Sequence, residues 1–437
     1  MINRTYIKSL FILAWPIIFG HIGHILIGAG DVFVAGRHSA DMLAACGIAN
    51  GFFVLIYGLG IGFLLGISPV LSKERGAGKS VDQYLWLCLA YSVFVSVLCI
   101  VFTRLSVYLV PLVGMEDKLV PMIQDYLLLR SWALIGTLVF FGIKEFLQAH
   151  EDVIFASFVT MFAVGLNVLF NFVFVFGLWG FPRMEMQGLA LSSLLMRTLI
   201  MIVILLYARK HMFKGWNFCL SLLKKIIKIG WPMGLTLFVE IAGFVTITLL
   251  VSRISTLQTA AHNIALEMAS ITFMIPMSIA TAASVKIGHA YGQNRFDHMK
   301  GYTTAAIIIS SAIMLCSMTL FLTLPKVFLK IFTIDPRVVA IGVPIVLLAA
   351  LFQLFDGLQV TLGGILRGMQ ISKPIFVAQV SAYWFVGIPL GYFLAFHCNY
   401  EVIGLWVGLS VALFTAAFSL ALVLFFQLKK LKTQMNK

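Results

Sequence analysis

AWPIIFGHIGHILIGAGDVFVAGR (residues 14–37) has an echo in the other half of the chain, where a second apolar run opens GWPMGLTLFVEIAG (230–243). Ala14-Trp15-Pro16 falls on Gly230-Trp231-Pro232 at an offset of 216. Without a gap, the same offset lays AACGIAN (44–50) on AAHNIAL (260–266) and Arg75-Gly76 on Tyr291-Gly292. It also places Gly188-Leu189 on Gly404-Leu405. The offset is close to half of the 437 residues, so the chain is one unit written twice.

Composition says what each unit is made of. Hydrophobic residues make up 61% and charged residues 11%, against roughly a quarter charged in soluble domains. Mean hydropathy is +1.02. The apolar excess is spread over the whole length in runs long enough to cross a bilayer, which predicts an all-α polytopic membrane protein. Breaking the chain at polar and Gly/Pro-rich clusters gives twelve spans, at about 9–34, 48–71, 85–110, 121–148, 153–177, 188–208, 230–252, 260–286, 302–324, 338–366, 375–396 and 403–427. The first run is too long for a signal-peptide core and is kept as a membrane helix. Each half holds six spans. Six is even, so both halves enter the membrane in the same direction, and a pseudo-two-fold axis along the membrane normal should relate them. The expected organisation is an N-terminal lobe over 1–208, a cytoplasmic linker over 209–229 and a C-terminal lobe over 230–437.

The net charge of +14 resolves into a topology signal. One set of inter-span segments carries twenty basic residues, among them Arg4, Lys73, Arg75, Lys224, Lys225 and Lys228, and the opposite set seven. The basic side faces the cytoplasm, so both termini are expected there. Trp216 and Gln434 should then be cytoplasmic and Asp117 external. The same charge gives some affinity for anionic membrane lipids. No basic patch carries an aromatic platform, so no nucleic-acid partner is expected. The six cysteines are scattered without ligand spacing and read as small apolar side chains.

Ionisable residues inside spans are costly, and they mark function. Asp356 lies in LFQLFDGLQVTLGGILRG (351–368), where the nearest cation in sequence is Arg367. Glu240 lies near the middle of span seven and Glu267 in the outer part of span eight. With no basic residue at comparable depth in these spans, the low-cost state of such acids is protonated or cation-bound. Hydrogen-bonded packing is the alternative. Asn263, Glu267, Ser270 and Met274 share one face of span eight, as in a helix lining a cavity or a helix–helix seam. Span one carries His21, His24, Gly28 and Asp31 on one face, with Asp31 toward the outer end, where a snorkelling carboxylate is also consistent. The HxxH pair has no third ligand nearby, so pore lining or packing is favoured over a metal. Pro16 permits a kink in this helix. Asn167 and Asn171 stand one turn apart in span five, and Arg130 and Arg197 are basic exceptions inside the spans. Gly357, Gly363 and Gly364 are expected to let span ten pack closely.

No nucleotide loop, dinucleotide fingerprint, HExxH or GxSxG motif is present, so the chain is not expected to be an enzyme. Any pumping would run on an ion gradient.

GAGDVFVAGR (28–37), AAHNIALEMASITFMIPMSIATAASVKIGHAYG (260–292) and LFDGLQVTLGGILRG (354–368) resemble the multidrug and toxic compound extrusion (MATE) transporters, most closely the NorM-like bacterial branch. The resemblance covers essentially the whole chain. It implies two six-helix lobes around a central cavity, and export of organic cations or drugs in exchange for sodium ions or protons, with no other cofactor. It implies a bacterial inner-membrane location, and a monomer is expected. By position, Glu240 and Asp356 match the family's cation-site acids and are the candidate Na+ ligands. Asp31 matches its first-helix acid, and Asn167 and Asn171 match asparagines near the N-lobe polar network. Asn263 stands where bacterial relatives commonly have a cavity glutamine. Glu267 matches the eighth-helix glutamate of proton-coupled eukaryotic members and joins the candidate coupling set. Phe352 replaces a tyrosine of some sodium-coupled relatives. The NorM-like likeness tips the expectation toward sodium. Two alternatives within the same architecture are a flippase for a lipid-linked or polysaccharide precursor and an exporter of one dedicated metabolite. A flippase would call for a cationic cavity, whereas the charges inside the spans are mainly acidic.

Overall fold

The computed structural model describes residues 4–113, 118–212, 214–215 and 218–435. Residues 213, 216 and 217 of the expected linker lie outside the described residues, as do Asp117 and Lys437. All regular structure among the described residues is helical.

The first half runs through α1 (Arg4–His38), α2 (Ala40–Leu64), α3 (Ile67–Gly76), α4 (Leu85–Ser106), α5 (Leu119–Ser131), α6 (Ala133–Ala149), α7 (Ile154–Phe176) and α8 (Glu185–Met212). The second runs through α9 (Leu220–Ser252), α10 (Thr256–Gly292), α11 (Phe296–Thr323), α12 (Pro325–Phe332), α13 (Pro336–Gly368), α14 (Lys373–Val380), α15 (Ile388–Tyr392) and α16 (Glu401–Met435). Among the described residues, eleven helical stretches are long and apolar enough to cross a membrane, and α5 with α6, bent by 42°, makes a twelfth if the pair is one span. That broken pair occupies the expected span over 121–148.

Most spans are longer than their apolar runs. The second is the clearest correction, because it begins at Ala40 instead of near residue 48. Ser39, in extended conformation, accepts a hydrogen bond from the Met42 amide at 3.1 Å, and Asp41 lies in the first turn. A hydroxyl cap and an acid at the positive end of the helix start it with a single residue, Ser39, between it and α1. Ser255, at the repeat offset from Ser39, caps α10 in the same way by accepting from the Leu257 amide at 3.3 Å.

The described chain divides into two compact units, Pro16–Gly234 and Met1–Trp15 with Leu235–Lys437. The divisions fall inside α1 and α9, beside Pro16 and Pro232, and not in the loop between α8 and α9. Each unit has its own apolar core, one around Phe146, Tyr126 and Leu71, the other around Trp406, Phe352 and Tyr383. Large apolar side chains also point outward, among them Phe94, Phe158, Phe162, Phe418 and Phe426. Exposed rings on helices whose backbone bonds are satisfied internally are what a lipid-facing surface requires. The chain is a multi-pass membrane protein.

In the second unit, α13 lies hard against α10. A Cβ added at Gly368 would sit 2.7 Å from the Ser284 carbonyl oxygen, and Gly364 meets the Ala280 backbone still more closely. Gly357 is likewise pressed by Met314 of α11, whereas Gly363 has ordinary space, its nearest neighbour being Ile375 at 3.9 Å. Glycine therefore sets helix approach at Gly357, Gly364 and Gly368, but not at Gly363.

Candidate functional site

In the second unit, Glu240 of α9 and Asp356 of α13 share one side-chain amide. Gln359 Nε2, one turn beyond Asp356, donates to Glu240 Oε1 at 3.2 Å and to Asp356 Oδ1 at 3.3 Å. Gln379 of α14 donates through Nε2 to Gln359 Oε1, which fixes the amide's orientation. The Tyr383 hydroxyl reaches Glu240 Oε1 at 3.5 Å, the outer limit of a hydrogen bond. Neither carboxylate has a lysine or arginine partner among the described residues. The two acids, Asp356 buried and Glu240 half-buried, thus form a pair whose charge is uncompensated when both are ionised. A proton or a small cation relieves that cost.

The helices around the pair hold it in place. Ser310 of α11 donates to the Gly357 carbonyl at 3.3 Å, Thr361 donates to Ser310 at 2.8 Å, and Ser317 donates to Gln353 at 2.5 Å. Tyr383 lies in a π-helical stretch, Ser381–Gly387, between α14 and α15, and a second such stretch, Phe393–His397, follows α15. Wide turns of this kind recur at functional sites because they rotate side chains out of the α-helical register. Phe352 is buried, with edge contacts to Phe244 at 6.3 Å and Trp406 at 5.5 Å. The tyrosine hydroxyl that Phe352 lacks is offered to the pair by Tyr383, from a different helix. His262, within AAHNIAL, accepts from Trp406 Nε1 at 3.1 Å and faces the Thr248 hydroxyl at 3.0 Å. Since indole can only donate, the His262 ring is a neutral pin joining α9, α10 and α16.

The remaining span-eight candidates stand elsewhere. Glu267 and Asn263 are on an exposed face of α10 with Ser270, and no hydrogen bond or ion pair joins Glu267 to the Glu240–Asp356 pair. The structure brings together two of the three coupling candidates.

The first unit builds a different polar cluster. Asp31 of α1 is fully buried and does not snorkel. Its Oδ1 accepts from Asn167 Nδ2 at 3.0 Å and Asn171 Nδ2 at 2.8 Å, both on α7. Ser192 of α8 donates to Asn171 Oδ1. Asp31 Oδ2 forms an ion pair with Arg130 of α5 at 3.3 Å, although the angle is not that of an aligned hydrogen bond. The Arg130 guanidinium also lies over the rings of Phe53 at 4.5 Å and Tyr126 at 5.1 Å. Arg197 of α8 lies near the Tyr57 hydroxyl, which in turn bonds His24. Asp31, Asn167 and Asn171 are one network, as the spacing of the asparagines allowed. Arg130, Ser192, Gln359, Gln379 and Tyr383 were not assigned roles from the sequence.

The family model MatE matches residues 16–173 and again 232–393. The two matches open at Pro16 and Pro232, the offset at which the chain repeats itself. A "Probable multidrug resistance protein NorM" from Mesorhizobium japonicum is 31% identical over 437 residues, covering 95% of this chain and 92% of that one. Among solved structures, the eukaryotic MATE transporter AtDTX14 matches with a TM-score of 0.89 at 18% identity, covering 99% of both chains. A MOP superfamily transporter from Pyrococcus furiosus matches with a TM-score of 0.89 at 17% identity, covering 98% of this chain and 97% of that one. It is described by a "reverse polarity of binding pocket" that "suggests different function". Carrying the family model in both halves and the NorM likeness along its whole length, the chain belongs to the MatE family of multidrug and toxic compound extrusion transporters, on the NorM-like side.

Proposed function

We propose that this transporter is a secondary antiporter that expels organic cations and drugs from the cytoplasm in exchange for sodium ions or protons. Because the same fold includes a protein described as having reversed pocket polarity, the fold cannot by itself set the sign of the substrate. One observation carries the reading: Asp356 is buried and Glu240 half-buried, the two are bridged by a single Gln359 amide, and neither has a basic partner among the described residues. A pair of this kind gains from each cation it takes up. Cation uptake relaxes the repulsion and lets α13 repack along α10 and α11. A membrane potential supplies about 2.3 kcal/mol per inward-moving charge per 100 mV, which can drive export against a gradient. Sodium is favoured over the proton by the NorM-like kinship. The multidrug names of the relatives support drug-sized substrates, and the loop charges support cytoplasmic termini in a bacterial inner membrane.

The test is dye efflux from proteoliposomes given a sodium gradient or a proton gradient alone. Asp356→Asn, permanently neutral, should still bind a cationic dye and lose gradient-driven exchange. Full exchange by this variant under both gradients would remove the pair from the coupling mechanism.

A further inference from the structure

Three side chains that the transport reading does not use converge at one end of the Pro16–Gly234 unit. Asp82 opens the short turn before α4, His150 follows α6, and His211 lies in the last turn of α8. Asp82 Oδ1 lies 3.0 Å from His150 Nε2 and 2.6 Å from His211 Nδ1. The three candidate ligand atoms all lie within 4.8 Å of one another. Lys214 Nζ donates to the other carboxylate oxygen, Oδ2, at 3.1 Å.

Counting protons shows that the cluster is short of a cation. His150 Nδ1 lies 3.0 Å from the Phe146 carbonyl oxygen, which can only accept, so Nδ1 carries the ring hydrogen. The lone pair of the neutral ring is then on Nε2, aimed at a carboxylate oxygen that also has only lone pairs to offer. A cation placed between the two facing lone pairs resolves the conflict. A backbone carbonyl on the far nitrogen is also the usual device for orienting a metal-binding histidine. Among the described residues His211 Nε2 is buried with no hydrogen-bond partner, and the polar contact of that ring is made through Nδ1 toward Asp82.

We propose that Asp82, His150 and His211 form a binding site for a transition-metal dication of the Zn2+ class. Two imidazoles and one carboxylate suit such ions and do not suit Mg2+ or Ca2+, which prefer all-oxygen shells. Tetrahedral zinc with bonds of about 2.0–2.2 Å sets its donors about 3.3 Å apart, so the three atoms need shifts of no more than about 1.5 Å. Water would fill the fourth position. Asp82 and His150 are half-buried, which leaves an entry path. Lys214 is exposed, and its ion pair is of the kind worth about 0–1 kcal/mol, so it can swing away. Arg75, bonded to the Ala149 carbonyl beside His150, adds a positive charge that limits affinity. The bound ion would tie the start of α4 to the ends of α6 and α8.

The test uses the full chain, purified in detergent and stripped with a chelator. Titrated Co2+ should give visible d–d bands at one equivalent, and Zn2+ should displace it and raise the thermal unfolding midpoint. Mg2+ should do neither. His150→Gln and Asp82→Asn should each weaken Co2+ binding at least about tenfold. X-ray absorption of the zinc-loaded native chain needs no variant, and should show nitrogen and oxygen ligands with scattering from two imidazoles. Absence of d–d bands, bands unchanged in both variants, or a sulfur shell would each overturn the proposal.

Discussion

Replacing Asp31 by Asn removes a charge while keeping the side chain's shape, and the surroundings set the consequence. Arg130 then loses its 3.3 Å partner and, among the described residues, keeps the faces of Phe53 and Tyr126. Both members of the pair are buried, with side-chain exposures of 7% and 0%. Removing one partner of a buried ion pair costs about 3–5 kcal/mol, because the other is left charged without compensation. The reverse change, Arg130→Met, should cost less. Asp31 would keep both asparagine donors, and hydrogen bonds to a charged group are worth about 1.5–3 kcal/mol each. The double variant leaves no stranded charge and should be more stable than the sum of the single changes predicts. Unfolding free energies in lipid–detergent micelles give the complete cycle. In proteoliposomes, Asp31→Asn should reduce efflux while cation-dependent changes in the second half persist. An additive cycle, or a costlier Arg130→Met than Asp31→Asn, would defeat the assignment of the pair.

Distances set the outcome for four further variants. Gln359→Leu removes the donor that stabilises both carboxylates, so the pair should hold its coupling cation more tightly, by on the order of tenfold, and turnover should slow. Tyr383→Phe loses only a 3.5 Å contact and should shift cation half-saturation less than about fivefold; cation titration of efflux reads both, and weaker binding by Gln359→Leu would make that residue a ligand instead. Gly368→Ala drives a methyl group to 2.7 Å from the Ser284 backbone and should destabilise by about 1–3 kcal/mol, whereas Gly363→Ala has room and should stabilise by up to about 1 kcal/mol. Thermal midpoints of equal sign for the two alanines would contradict the packing.

The spans were legible because a bilayer demands long apolar runs, and no competing structure in water has that pattern. Their starts were less so: a Ser39 or Ser255 cap is one hydroxyl in a polar loop, and its meaning depends on where the next helix lies. Glu240 and Asp356 could be singled out because an acid in an apolar run is costly wherever it faces. Gln359 carried a weak signal, one turn from Asp356 on the same helix. Tyr383 and Gln379 carried none, since they arrive from another helix, and the π turns shift the register on which a periodicity argument depends. Arg130 was visible as an intramembrane base, but α5 brings it to Asp31 only through tertiary packing. Asp82, His150 and His211 lie at the ends of three helices, so no spacing in sequence marks them.

The repeat supplies each half with equivalent helices but not with equivalent charges, and that asymmetry bears on where coupling can reside. Ionised Asp31 is matched by Arg130, and the buried Arg197 nearby adds further positive charge, so its cluster carries no surplus of negative charge. A cation offered to Asp31 must first separate that buried pair, at a cost of about 3–5 kcal/mol. Among the described residues, ionised Glu240 and Asp356 have only amide and hydroxyl donors around them, and a cation offered there displaces no positive charge of theirs. On the proposed reading, an ion gradient therefore acts through α9 and α13. Asp31 then serves to hold α1, α5 and α7 in register.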